Sequence, residues 1–140
     1  MPLTQTATNA FKTGLMTGVY NFSSDTFKIA LYNGNATLDE NTSVYTSTNE
    51  ITDSGYTAGG EVLSVSVTPT TGASGDVAYI SFANVSWAGA LTARGALVYD
   101  VTNGNQTVCV LDFGADKTSS TNFEVQFPPA TNTSAIIRIT

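Results

Sequence analysis

Beyond residue 25 the chain is made of short runs in which hydrophobic and polar residues alternate. In TFKIALYNG, for instance, Phe27, Ile29 and Leu31 occupy every second position, and the run stops at Asn33-Gly34. Because successive side chains of a strand point to opposite faces, this period of two predicts a half-buried β-strand bounded by a turn. The same pattern recurs in EVLSVSVTP, VAYISFANVSW, NFEVQFPP and the terminal SAIIRIT.

Two of these strands carry further information in their residues. Pro69 is expected to end the strand in EVLSVSVTP, because proline has no N–H to donate to a ladder. In SAIIRIT, alternation predicts that Ile137 and Ile139 point inward and that Arg138 points outward.

Two longer runs, ARGALVYDV and QTVCVLDFG, are separated by TNGN, a short glycine-containing link typical of a β-hairpin. We therefore expect these two strands to pair with each other in antiparallel fashion. Short strands dominate the pattern and helical periodicity is almost absent. The sequence thus predicts an all-β chain, an antiparallel β-sandwich or jelly-roll-like domain with one short N-terminal helix.

The helical pattern lies near the N-terminus, in NAFKTGLMTGVYNF. Phe11 and Leu15 are four residues apart, which places them on one face of a helix, and Asn9 is available as its N-cap. Residues 1–10 are largely polar, so we expect a flexible arm before a single domain at residues 11–140. Such an arm either becomes ordered on a neighbouring subunit or is a frayed end, and both alternatives stay open.

A long irregular stretch, residues 33–60, separates the first two clear strands. A loop of this length in a compact domain is usually functional or partly structured. It is therefore a candidate contact surface for a partner. The alternative is a loop folded over one end of the sandwich and held there by Val44, Tyr45, Ile51 and Tyr56.

Composition narrows the range of partners. Charged residues are 11% of the chain, where soluble domains have roughly 25%. The net charge is -6 and the five basic residues form no stripe, so nucleic acid is not an expected partner. The apolar runs are too short for a membrane span and no signal peptide is visible. We therefore expect synthesis in a cytoplasm and no membrane partner.

No catalytic motif is recognisable. The chain has no histidine, and its acidic residues form no calcium-binding loop, so we expect no catalytic triad, metal or cofactor. The triplet Asp112-Phe113-Gly114 holds metal in protein kinases, but the other kinase motifs are missing, and a turn-capping role for Asp112 is favoured. Cys109 lies in an apolar run and is expected to be a buried residue, not a nucleophile.

Two chemical alternatives remain at this level. Two carboxylates that meet in space could still hydrolyse a glycoside, although we expect most of the acids to be solvated and the chain not to be an enzyme. Trp87 could stack on a sugar, but its alternation with Val85 favours a place in the core or in a subunit interface.

Several segments taken together resemble a family of small structural proteins of tailed bacteriophages. The resemblance runs from Phe11 to Ile139, through FKTGLMTGVYNFSSDTFKIALY, NEITDSGYTAGGEVLSV, ANVSWAGALTARGALVYD and VCVLDFGADKTSSTNFEVQFP. Its most specific parts are GYTAGG, ARGALVYD and the LDFG turn with the following DK. The resemblance is one of pattern and carries no active-site residue.

The resemblance implies a virion structural protein, and most specifically a capsid decoration or cement protein that stabilises the head shell through subunit contacts. The implied partners are the major capsid protein and further copies of the chain, with a homotrimer favoured. The implied location is the capsid exterior of the virion, after synthesis in the host cytoplasm. The alternatives are a tail or head-fibre component that contacts the host surface, with carbohydrate as one target, and a free sugar-binding protein.

For the decoration role we expect contacts through the N-terminal segment, the helix and the loop at residues 33–60. The candidate contact residues are Phe11, Leu15, Val44, Tyr45 and Tyr56.

Overall fold

The computed structural model describes residues 3–71, 77–128, 131 and 134–139. Within these ranges the chain forms strands and one short helix. In chain order they are β1 (Thr6–Ala7), α1 (Asn9–Thr17), β2 (Phe27–Tyr32), β3 (Glu61–Leu63), β4 (Val65–Thr71), β5 (Ala78–Phe82), β6 (Val85–Ala88), β7 (Thr92–Asp100), β8 (Gln106–Thr118), β9 (Asn122–Val125) and β10 (Ile137–Ile139).

The strands form three sheets. The largest has the order β1-β8-β7-β2-β3, a second has the order β10-β5-β4, and β6 pairs with β9. Every pair of these strands is antiparallel, and the predicted β7–β8 hairpin is present at the centre of the largest sheet. The prediction of an all-β chain with antiparallel pairing and one short N-terminal helix is therefore confirmed.

The main hydrophobic core lies on one face of the largest sheet. Phe27, Ile29 and Leu31 of β2 project into it, as their alternation predicts, and contact a cluster that includes Ile80 and Phe82 of β5. Each such large side chain contributes roughly 1.5–3 kcal/mol when fully buried. Strands from all three sheets therefore share one interior.

The opposite face of the largest sheet is also buried, and here the expectation of a half-buried β2 is wrong. Ala30 and Tyr32, on the other side of β2, lie in a second cluster with Leu97 and Tyr99 of β7. Residues of the 33–60 loop cover this cluster, so the strand is apolar on both sides. The loop thus covers a face of the sheet and not merely one end.

Pro69 does not end a strand. The run EVLSVSVTP divides at Ser64 into β3 and β4, which belong to different sheets, and β4 continues to Thr71. Because β4 is an edge strand and its pairing with β5 shifts between Val67 and Thr70, a proline is tolerated there.

The terminal strand β10 differs from its predicted pattern. Ile137 is half-buried, but Ile139 is 55% exposed, so only one of the two expected inward residues contributes to the core. Arg138 is exposed, as expected. The strand is only three residues long and pairs with β5 alone, which leaves its outer edge and its last aliphatic side chain uncovered within the described residues.

The N-cap of helix α1 lies one residue before the predicted one. Thr8, not Asn9, is the N-cap, and its hydroxyl oxygen accepts a hydrogen bond from the Phe11 N–H at 3.2 Å. Gly18 closes the helix in the left-handed conformation. Gly14 faces the Tyr20 ring so closely that a Cβ there would overlap it.

The segment predicted as a flexible arm, residues 1–10, is packed against the domain over its described part. Leu3 is buried and bridges to Leu38, β1 pairs with β8, and Thr8 is fully buried. Leu3 and Thr8 hold this segment on the domain. The polar composition of residues 1–10 gave no indication of these two contacts. Met1 and Pro2 lie outside the described residues.

Candidate contact surfaces

The 33–60 loop is held on the sheet by a buried carboxylate. Glu50 is 7% exposed. Its Oε1 accepts a hydrogen bond from the Tyr45 hydroxyl at 2.6 Å, and its Oε2 accepts from the Tyr56 hydroxyl and, at 2.7 Å, from the Gly59 N–H. Burying a carboxylate costs free energy unless its oxygens are hydrogen-bonded, and here three protein donors replace the water that the carboxylate loses.

The glycines of GYTAGG allow this arrangement. Gly59 and Gly60 have φ values of 96° and 82°, in the left-handed region that favours glycine. The Gly59 carbonyl also accepts a hydrogen bond from the Tyr99 hydroxyl at 2.6 Å. Gly60 lies against β2, where an added Cβ would fall on the Ile29 carbonyl oxygen. The segment therefore connects the loop to both β2 and β7.

The tyrosines around Glu50 remain protonated over a wide pH range. Burial and then the hydrogen bond to Glu50 raise the pKa of Tyr45 and of Tyr56 well above the ordinary tyrosine value. Burial, followed by the nearby Glu50 charge, raises the pKa of Tyr99 to about 12. Tyr45 and Tyr56 therefore act as stable hydrogen-bond donors to the carboxylate, and Tyr99 as a stable donor to the Gly59 carbonyl.

The interpretation of the loop as a pinned cover thus agrees with the structure for three of its four residues. Ile51 is buried in the main core, and Tyr45 and Tyr56 are half-buried and bound to Glu50. Val44 is 49% exposed and does not pin the loop with its side chain. It remains on the surface as a candidate contact.

Glu50 was not predicted as a structural centre, because the sequence shows it as one of several acids expected to be solvated. Its burial depends on residues before and after it in the loop, Tyr45 and Tyr56, and on distant Tyr99. The only signal in the sequence is the place of Glu50 between two tyrosines and shortly before the glycine pair of GYTAGG.

The two candidate residues of helix α1 are placed differently. Phe11 is 4% exposed and packs edge-on against the Tyr20 ring, at 5.0 Å between centroids. It belongs to the core, and its small exposed part lines an open groove beside the helix. Leu15 is 36% exposed, and its neighbour Met16 is 80% exposed. Leu15 is therefore the helix residue of the pair that is available for contact.

An open groove of about 370 Å³ lies beside Leu15, between α1, strands β1 and β8, and strand β10. Its lining is mostly aliphatic and includes Ile137 and Ile139. Lys12 and Arg138, both exposed, also line it, and no acidic residue among those the structure describes does. The groove thus combines an apolar surface with two positive charges on a molecule of net charge -6.

Two carboxylates do meet in space, at the turn after β7. Asp100 is fully buried and lies within hydrogen-bonding contact of Asp25, and the Asn103 amide donates to both, at 2.9 Å and 2.7 Å. Burial and then the hydrogen bond with Asp25 raise the pKa of Asp100 to about 6. Glycosidases hold their two catalytic carboxyl groups roughly 5 Å or more apart. The carboxyl groups of Asp25 and Asp100 share a hydrogen bond, and this arrangement fits stabilisation of the turn better than glycoside hydrolysis.

Trp87 is 3% exposed, in accord with a place in the core. Its ring lies 6.3 Å from that of Phe123 and 6.1 Å from that of Tyr56. A sugar cannot stack on a ring in this position, so the idea of an exposed Trp87 platform is wrong. Its Nε1 is buried without a hydrogen-bond partner among the described residues.

The remaining expectations about single residues concern Asp112 and Cys109. The expected turn after Asp112 is absent, because β8 continues to Thr118, but the Asp112 Oδ1 does accept from the Gly114 N–H at 2.9 Å and pairs with Arg94 at 3.3 Å, where the β7–β8 pairing shifts register. These two contacts, the first being the stronger, lower the pKa of Asp112. Cys109 is buried, and burial raises the pKa of its thiol to about 12.

The described residues contain no group of three or more His, Cys, Asp or Glu side chains arranged to hold a metal ion. No helix in the described part of the chain has the length and apolarity needed to cross a membrane.

Comparison of the chain with protein-family models, with curated proteins and with solved structures gave no match in any of the three.

Proposed function

We propose that the chain is a structural protein of a tailed-phage virion, most specifically a capsid decoration protein that stabilises the head shell by subunit contacts. The proposal has no catalytic step, and the partners are the major capsid protein and further copies of the chain, in a trimer. The protein would be made in the host cytoplasm and occupy the capsid exterior. The resemblance of its sequence segments to phage structural proteins is the starting point.

The groove beside α1 is the observation that carries the contact role. Leu15 and Ile139 expose aliphatic surface there. The polar side chains of the chain are mainly hydroxyls and amides. Exposed apolar surface grouped around a concavity is typical of protein-interaction sites. Many copies that each bury a modest area would attach firmly to a regular lattice through multivalency.

The fixed loop supports the same role. The Glu50 contacts hold residues 33–60 against the sheet, so Val44 is presented at a defined position before any partner binds. Within this proposal the fold is an antiparallel sandwich or jelly-roll-like domain, in which the largest sheet packs on the two smaller ones. The shared core between β2, β5, β6 and β9 supports this arrangement.

The copy number of the chain in purified virions tests the proposal. Quantitative mass spectrometry against the major capsid protein should give a ratio near one or a simple fraction such as one third. A ratio below a few hundredths would move the chain to the tail or to a head fibre. Absence of the chain from virions would refute a virion role altogether.

A further inference from the structure

The two outer edges of the largest sheet differ in chemistry. At one edge, β1 and the adjoining part of β8 border the groove, together with α1 and β10. At the other edge lies β3, which pairs only with β2 among the described residues. A strand with an unpaired edge is a template for pairing with another chain, and proteins usually cover or charge it.

The groove edge is cationic. Lys12 lies one helical turn before Leu15 on α1, and Arg138 lies on β10 next to Ile139. Neither cation has an ion-pair partner within the described part of the chain. The outer edge of β10 is also unpaired among those residues, so backbone donors and acceptors border the same apolar surface. A fitting occupant is extended, aliphatic and acidic.

The edge formed by β3 has these properties. Glu61 and Val62 are both exposed, Val62 by 56%, and they stand next to each other on a short extended strand. Val62 exposes aliphatic surface on an unpaired edge strand, which is a template for pairing with another chain, and the adjacent Glu61 carboxylate is opposite in charge to the two cations of the groove. The two edges of one molecule are therefore complementary to each other.

We propose that β3 of one copy docks as an extended strand into the α1–β10 groove of the next, with Glu61 facing the charges of Lys12 and Arg138, and with Val62, whose side chain points to the opposite face of the strand, against the apolar lining. This inference rests on the proposed function, since it names a second copy as the partner of the groove. The two surfaces lie on opposite edges of one sheet, so the contact is head-to-tail. Repetition of a head-to-tail contact generates a closed ring when the rotation between copies allows it.

Sedimentation velocity of the purified chain over a wide concentration range tests the proposal. The wild type should sediment as a closed oligomer, and added salt should weaken it, because exposed ion pairs are screened. The double variant Lys12→Glu/Arg138→Glu and the single variant Glu61→Lys should each sediment as single chains. Lys117→Glu, which reverses an exposed cation outside the groove, is the matched control and should leave the oligomer intact.

Restoring the charges in exchanged positions gives the sharpest result. A chain that carries Lys12→Glu, Arg138→Glu and Glu61→Lys together should regain the oligomer, since each site again meets its opposite. Far-UV circular dichroism of every variant checks that folding is retained. A monomeric wild type, an oligomer that survives the groove variants, or a charge-exchanged chain that stays monomeric would each overturn the proposal.

These outcomes are separable from those of the virion test. An oligomer that depends on Glu61 but is missing from virions would retain this interface and remove the decoration role. A chain present in virions at decoration stoichiometry but monomeric in solution would do the reverse.

Discussion

Replacing Glu50 by glutamine tests whether the 33–60 loop is held by its carboxylate. In the folded chain the two Glu50 oxygens accept from Tyr45, Tyr56 and the Gly59 N–H. Glutamine keeps the shape and one acceptor oxygen, but its NH₂ group only donates. If the glutamine oxygen takes the place of Oε2 and accepts from Tyr56 and Gly59, the NH₂ group faces the Tyr45 hydroxyl. The hydrogen bond from Tyr45 to residue 50 is then lost.

The magnitude follows from the loss of charge. A hydrogen bond to a charged group contributes about 1.5–3 kcal/mol, and one between neutral groups about 0.5–1.5 kcal/mol. Three bonds that each lose about 1 kcal/mol give a destabilisation of about 3 kcal/mol. For a domain of this size that corresponds to a fall in Tm of about 10 °C.

Urea unfolding followed by far-UV circular dichroism measures this change in Glu50→Gln. Glu124→Gln is the matched control, because Glu124 is exposed and its loss should change the free energy of unfolding by less than about 0.5 kcal/mol. Amide hydrogen exchange should locate the effect in residues 33–60. If the two variants unfold at the same urea concentration, the carboxylate does not hold the loop and the reasoning is refuted.

Three further predictions concern other parts of the chain. Because the raised pKa of Asp100, about 6, means that the folded chain holds this proton more tightly, the contribution of Asp100 to the free energy of unfolding should fall as pH rises from about 4 to 7. Urea titrations at several pH values should show this slope in the wild type, and a flatter one in Asp100→Asn. Gly60→Ala should lower the Tm far more than Gly104→Ala, since both glycines have positive φ but only Gly60 abuts a carbonyl oxygen; equal losses would contradict this. The buried Cys109 thiol, with a pKa raised to about 12, should resist iodoacetamide until the chain unfolds, and rapid native labelling would show that it is accessible.

The sequence predicts the strands best where one rule governs them. In the β7–β8 hairpin, two long runs joined by a short glycine-containing link predict antiparallel pairing, and the two strands pair from Thr92↔Thr118 to Asp100↔Gln106. Local and global preferences coincide there, as they do in sequences that fold consistently. Cys109 was placed correctly, since its burial depends on the apolar run around it, whereas the strand β8 continues past Asp112, where a turn was expected.

The sequence fails where burial depends on distant segments. Alternation predicts that one face of β2 is exposed to solvent, but the 33–60 loop covers Ala30 and Tyr32 on that face. The local sequence of a strand does not indicate that a loop will fold back across the sheet. Glu50 shows the same limit for the candidate contact surface. A carboxylate is expected to be solvated unless its donors are known, and those donors become neighbours only through the fold.

The candidate contact residues of the 33–60 loop have two different roles. Tyr45 and Tyr56 act within the molecule and fix the loop, whereas Val44 stands on that loop with its side chain outward. Ordering a loop on binding costs free energy, and a loop that is already held by Glu50 does not incur this cost when it binds. Loss of the Glu50 clamp should therefore weaken any contact made through Val44 even though Glu50 itself is buried. A buried carboxylate thus becomes part of the binding surface through the loop that it holds.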